Sequence, residues 1–181
     1  MRLLMLLSFT LLLSACGGQE TLVTTPQVTV AERVSTSFRS IEVLDVSLPT
    51  YAAGEEIPVN TEGVLVLSDA LWADDPTRAV TLALARNLKE ITGARVAPEP
   101  WPFDGFASAR VDVRVEELVI EGEVLKLSGQ YFVADLDGRG RDHAHLFSLT
   151  TPVVDRSAAT LGAARAALVA DLARDIAREG L

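Results

Sequence analysis

Only one cysteine stands among the 181 residues, so no intramolecular disulfide can brace the fold and stability must come from packing. Histidine occurs twice, at His143 and His145, which leaves few side chains able to act as a base near neutral pH. Basic residues are outnumbered, 16 against 25, for a formal net charge of −9. A nucleic-acid partner needs clustered Lys and Arg against phosphate, and that class is excluded. An anionic membrane surface would repel the chain as well. Long apolar runs are absent apart from Leu3 to Leu13, which is shorter than the roughly 20 residues that cross a bilayer. No internal repeat and no low-complexity block interrupts the chain.

What is present begins at the N-terminus. Met1-Arg2 is a short positive start, Leu3 to Leu13 is almost wholly apolar, and Leu13-Ser14-Ala15-Cys16 closes the run with small residues before the cysteine. This order reads as a secretory signal. Leu-Ser-Ala-Cys resembles the lipobox of bacterial lipoproteins, where the thiol takes a diacylglycerol, the chain is cut before the cysteine, and the new amino group is acylated. Small side chains at Ser14 and Ala15 let a peptidase reach the backbone, and only a thiol can carry the thioether-linked lipid. Several acyl chains anchor firmly, where one alone binds marginally. Gly17, in place of an aspartate, resembles lipoproteins sent on to the outer membrane. The expected organisation is therefore a signal peptide over residues 1–15, a lipidated Cys16 with its tether over 16–27, and one periplasmic domain over 28–181. Loss of Arg2 leaves 15 basic against 25 acidic residues, a net charge of −10.

Periodicity gives the domain its elements. Val28 to Phe38 and Ser40 to Leu48 read as strands, Pro49 ends the second, Tyr51 to Pro58 is a loop, and Val59 to Leu67 is a further β-rich segment continued by Ala70 to Ala73. Asp74-Asp75-Pro76 opens a helix, with Asp75 placed to cap and Pro76 where its missing N–H costs nothing. Val80, Leu84, Leu88 and Ile91 share one face of it, and Gly93 stops it. Ala94 to Ala97 is a brief strand. Arg110 to Ile120 and Val124 to Ala134 alternate apolar and polar residues about Glu121-Gly122-Glu123, a hairpin, and Ala144 to Val153 returns. From Ser157 an alanine-rich helix carries Leu161, Leu168, Leu172 and Ile176 in a stripe. Antiparallel hairpins mixed with two such helices predict an α+β two-layer sandwich: a mainly antiparallel sheet with two amphipathic helices packed on one face.

Taken together, Val46-Ser47-Leu48-Pro49-Thr50-Tyr51, Leu71-Trp72-Ala73-Asp74-Asp75-Pro76, Ala109-Arg110-Val111-Asp112-Val113, Leu127-Ser128-Gly129 and the final Ala-rich helix resemble the paraquat-inducible protein C family. Its members are auxiliary lipoproteins of MCE (mammalian cell entry) lipid transport systems. Asp74 departs from the family's usual glutamate, and the segment before Ile41 matches poorly. The resemblance implies a non-catalytic lipoprotein at the outer membrane, facing the periplasm, that docks on an MCE-domain protein like paraquat-inducible protein B and on its membrane partner. Such a system moves phospholipid or other apolar molecules between membranes and supports envelope integrity. A homo-oligomer is compatible with this, and no cofactor is implied. A lipoprotein that itself binds a lipid or hydrophobic small molecule is the alternative.

Candidate contact residues follow from exposure and chemistry. Pro49 and Tyr51, just past a strand end, either dock a partner or merely stop and cover the strand. Trp72 is either a contact or a packing anchor before the helix cap. Trp101 and Phe103, with Phe106, lie in a proline-stiffened segment from Pro98, which limits the freedom lost on binding; the same segment can equally fold back as a lid. Asp135 to Asp142 has the oxygen ligands but neither the register nor the closing glutamate of a calcium loop, and reads as a turn. His143 and His145 share a strand face without a third ligand, so no metal site is expected. No serine stands in a nucleophile motif, and the chain is not read as an enzyme.

Overall fold

The computed structural model describes residues 21–138 and 140–181. The expected signal, Cys16 and the first part of the tether lie outside them.

The helix opened by Asp74-Asp75-Pro76 forms over Pro76–Thr92 (α1), where Asp75 accepts a hydrogen bond from the Arg78 backbone N–H at 2.7 Å. Gly93 closes it in the left-handed conformation at φ 70° and donates its N–H to the Lys89 carbonyl. Both ends are satisfied locally, so the helix is legible from its own residues. The second helix, Ala158–Asp175 (α2), is capped by Ser157, whose hydroxyl accepts from the Thr160 N–H. It runs on into a wider π turn at Ile176–Gly180.

Eight strands form one mixed sheet: β1 Thr21–Val23, β2 Ser40–Val43, β3 Glu56–Thr61, β4 Val64–Trp72, β5 Arg95–Pro98, β6 Ala109–Glu121, β7 Val124–Asp135 and β8 His143–Pro152. The long ladders, β6 with β7 and β7 with β8, are antiparallel as expected. Shorter parallel pairings join β2 and β3 to the free edge of β6: β2 near its start, carrying β5 beyond it, and β3 near its end at Ile120 and Glu121, with β4 antiparallel to β3 and β1 beyond β4. Helices α1 and α2 pack on each other and on the same face of this sheet. Ile41, Val43, Val111, Val113, Leu127 and Tyr131 meet Val80, Leu84, Leu88, Leu168 and Leu172 there, all buried. The fold is the expected α+β sandwich. The alternation along β6 holds as far as Val115 and breaks at a bulge between Val115 and Glu117, after which Leu118, Val119 and Ile120 are all buried.

Three expectations need correction. Val28 to Phe38 is no strand: it crosses the helical layer as irregular chain, held by the Val34 N–H to the Ile91 carbonyl at 3.0 Å and by Arg178 on Glu32 at 2.6 Å. The tether does not extend to residue 27, because Thr21–Val23 pairs in parallel with Ala70–Trp72 and buries Val23. A polar local sequence hid a strand whose partner lies some fifty positions away. Finally, the β-rich segment from Val59 is a hairpin, turned at Glu62-Gly63, where both residues have positive φ, 52° and 86°. A two-residue turn of this hand follows strand twist.

Candidate functional site

Pro49 and Tyr51 belong to one short 3-10 turn, Thr50–Ala52 with Pro49 at its cap, in which the Ala52 N–H returns to the Pro49 carbonyl at 2.8 Å. The Tyr51 hydroxyl donates to the Glu116 carbonyl at 3.5 Å, beside the β6 bulge, and burial raises its pKa. Both residues are half-buried, so part of each ring remains on the surface.

Trp72 sits elsewhere. It is 2% exposed at the end of β4, and the Arg165 guanidinium of α2 lies 3.8 Å above its ring. The structure thus places it as the packing anchor. Sequence reading missed Arg165, although the signal existed: Leu161, Arg165, Leu168, Leu172 and Ile176 keep helical spacing, and a cation occupies one place in an apolar stripe. Its Nε donates to the Thr25 hydroxyl at 2.6 Å, and its Nη2 donates to the same oxygen. Nη1 has no hydrogen-bond acceptor among the described residues, and burial pulls the guanidinium pKa down to about 10 against the pull of Asp74. Three residues earlier, Gly162 passes so close to the N-terminal chain that a Cβ there would stand 2.1 Å from the Thr24 carbonyl oxygen. One face of α2 therefore clamps the chain that leaves β1.

Trp101 and Phe103 lie together on the connection from β5 to β6, their rings edge to face at 5.0 Å, with Arg95 stacked 5.2 Å from Phe103. The connection carries a cis Glu99-Pro100 peptide bond. Its root is fixed: the Glu99 carboxylate accepts from the Asp45 N–H at 2.7 Å, and the Glu99 N–H donates to the Val43 carbonyl. Phe103 is exposed and Phe106 is 93% exposed. The Trp101 indole N–H is buried with no acceptor among the described residues. Three aromatics on a stiff, rooted loop are suited to contact with an apolar surface.

The acidic run after β7 is a turn. Asp135 accepts from the backbone N–H groups of Asp137 and Gly138 through one oxygen and from that of Gly140 through the other, and Asp142 accepts from the Asp135 N–H. Backbone donors thus occupy the Asp135 carboxylate. Exposed His145 stacks on Tyr131 at 5.6 Å, and among the described residues no group of three His, Cys, Asp or Glu is placed to hold a metal.

A second exposed region had no counterpart in the sequence reading: Val64, Leu65, Val66 and Leu67 of β4 are each 47–61% exposed. Among the described residues, their hairpin pairs with β6 at Val59 and Asn60, and the outer edge of β4 is paired by β1 from Ala70 to Trp72.

A family model described as the ABC-type transport auxiliary lipoprotein component matches residues 21–177. A crystal structure of an uncharacterised protein superposes with a TM-score of 0.73 at 18% identity, covering 90% of this chain and 99% of the other. A crystal structure of a Xanthomonas campestris protein gives 0.68 at 14% identity, covering 88% and 93%. At such identities the likeness concerns the fold. No curated protein matches the chain.

Proposed function

Because the chain belongs to the ABC-type transport auxiliary lipoprotein family, the lipoproteins similar to paraquat-inducible protein C, we propose that it is a non-catalytic accessory subunit of an MCE-type intermembrane lipid transport system. It is held at the outer membrane through Cys16, faces the periplasm, and docks on the MCE-domain protein. The observation that carries this reading is the family match from residue 21 together with a sole cysteine five positions ahead of it, since a lipoprotein of this sequence has no other thiol to acylate.

Geometry supports a division of labour. Pro98, at the root of the aromatic loop, lies level with Val43 and through it with Val111, whereas the β3–β4 hairpin meets β6 at Ile120. At about 3.4 Å per residue these levels are roughly 30 Å apart along β6. The anchored N-terminal strand joins through the hairpin, which leaves Trp101, Phe103 and Phe106 free for a periplasmic partner. Tyr51 and Pro49 are the second candidate contact.

A photoreactive residue at Phe103 or Tyr51, introduced into cells with Cys16 intact or as Cys16→Ala and read by mass spectrometry, tests the proposal. The expected product is a cross-link to an MCE-domain protein that weakens when the anchor is removed. Cross-links to lipid alone, or none to any MCE-domain protein while the chain is anchored, overturn it.

A further inference from the structure

The β3–β4 hairpin breaks two habits of soluble sheets. Neighbouring residues of a strand face opposite ways, so Val64 and Val66 lie on one face and Leu65 and Leu67 on the other, yet all four are exposed. Both faces are thus apolar, where an exposed antiparallel hairpin ordinarily keeps one of them polar. Among the described residues, nothing pairs with its outer backbone edge before Ala70. Charge narrows what can cover it: no Lys or Arg occurs between Arg39 and Arg78, whereas Glu55, Glu56, Glu62, Asp69, Asp74 and Asp75 all lie on or beside the hairpin. An anionic surface is disfavoured, and a neutral apolar one is not.

The chain ahead of the domain supplies the occupant. Cys16 precedes Thr21 by five residues, which span at most about 18 Å fully extended. Thr21 lies opposite Ala70 on β4, and from there to Val64 is six residues, about 20 Å of strand. A lipid on Cys16 therefore holds the bilayer surface within a distance of Thr21 comparable to the length of the exposed strand. Exposed Leu22, on β1, adds to the apolar surface of the same side.

From this we infer that the Val64–Leu67 segment rests on the membrane as a second, shallow contact beside the lipid anchor, with Leu65 and its neighbours at the boundary of headgroups and acyl chains of a zwitterionic lipid surface. Contact at this depth leaves water and headgroups to satisfy the open backbone edge, which the hydrocarbon interior could not do. The anchor supplies attachment. The hairpin fixes orientation, turning the Trp101 loop away from the bilayer. The inference rests on the reading of Cys16 as the lipidated residue.

The test uses the full lipidated chain in phosphatidylcholine–phosphatidylethanolamine vesicles, with the mass of the Cys16 adduct measured first. An environment-sensitive fluorophore is attached through Leu65→Cys and, as a control, through Ala163→Cys on the exposed face of α2. The Leu65 probe is expected to shift to the blue and to be quenched by acyl-chain-bound quenchers, the Ala163 probe to do neither, and added phosphatidylglycerol to weaken the effect. In a chain with Cys16→Ala, Leu65→Ser together with Leu67→Ser is expected to lower vesicle partitioning about tenfold without changing the circular dichroism. A water-like spectrum at Leu65 while the mass establishes the anchor overturns the inference and leaves the anchored reading standing. An unmodified Cys16 overturns both. Capture of Leu65 by a protein strand, read by photo-cross-linking in cells, also overturns it in favour of strand addition at the β4 edge.

Discussion

Replacing Gly162 with alanine measures how firmly the N-terminal strand is clamped to the domain. The added Cβ would stand 2.1 Å from the Thr24 carbonyl oxygen and 3.4 Å from Pro26 Cδ. Carbon–oxygen contacts settle at about 3.3 Å or more, so backbone must yield by about 1.2 Å, and a carbonyl cannot rotate out of the way as a side chain does. Overpacking of this kind costs about 1–3 kcal/mol, and the better helix propensity of alanine returns about 1 kcal/mol. The backbone clash puts the cost near its upper end, for a net loss of about 1–2 kcal/mol and a Tm lower by about 3–6 °C at this chain length. Hydrogen exchange locates the loss: the Ala73 N–H, which donates to the Val23 carbonyl at 2.9 Å, and the amides of Thr21–Val23 should exchange faster. Ala163→Gly, one residue on but exposed, isolates the propensity term. A Tm raised by Gly162→Ala, with β1 amides as protected as before, would refute the close approach of Thr24 to α2.

Arg165→Ala removes the cation over Trp72 and the bonds to Thr25 and leaves a cavity, for an expected loss of about 2–4 kcal/mol in chemical denaturation; Arg165→Met, which refills the volume without an unpaired buried donor, should recover most of it, and equal losses in both variants would count against a packing role. Gly129→Ala sets a Cβ 2.2 Å from the Arg114 carbonyl oxygen at the β6 bulge, and calorimetry should register a loss of about 2–3 kcal/mol; near-wild-type stability would mean that the bulge is looser than described. Glu117 accepts from Lys126 and from Ser128, each at 2.7 Å, and these bonds lower its pKa below the ordinary 4.5. A carboxylate with a depressed folded pKa stabilises above about pH 4.5 and loses that contribution as pH falls through the lower folded value. Glu117→Gln should therefore lower Tm at pH 6 and converge with the wild type in acid; a gap that persists unchanged to pH 2 would remove the carboxylate from the account.

Local chemistry set what was readable in advance. The limits of α1 follow from Asp75, Pro76 and Gly93, because a helix end is satisfied by residues within one turn of it. The β6–β7 hairpin follows from the alternation of Arg110 to Val115 and of Val124 to Ala134 on either side of the Gly122 turn, and the family resemblance rests on short segments whose order is visible in the chain. The candidate contacts were only partly separable: Trp101, Phe103 and Phe106 are grouped by sequence and by structure alike, whereas nothing near Trp72 announces that an arginine 93 positions later will cover it. The Glu62-Gly63 turn escaped because glutamate seldom takes positive φ, so Val59 to Leu67 read as one β-rich segment.

From the sequence alone came the lone cysteine behind its apolar run, the acidic balance, the two helices and the long antiparallel ladders, each of which depends on composition or on neighbours a few residues away. Tertiary structure decided the rest: that Thr21–Val23 is a strand and not tether, that β2, β3 and β5 enter the sheet in parallel, that Arg165 fills an apolar stripe, and that Val64–Leu67 faces outward. Each of these depends on a pairing between distant parts of the chain, and the cost of bringing such parts together is met only by contacts that neither part displays on its own.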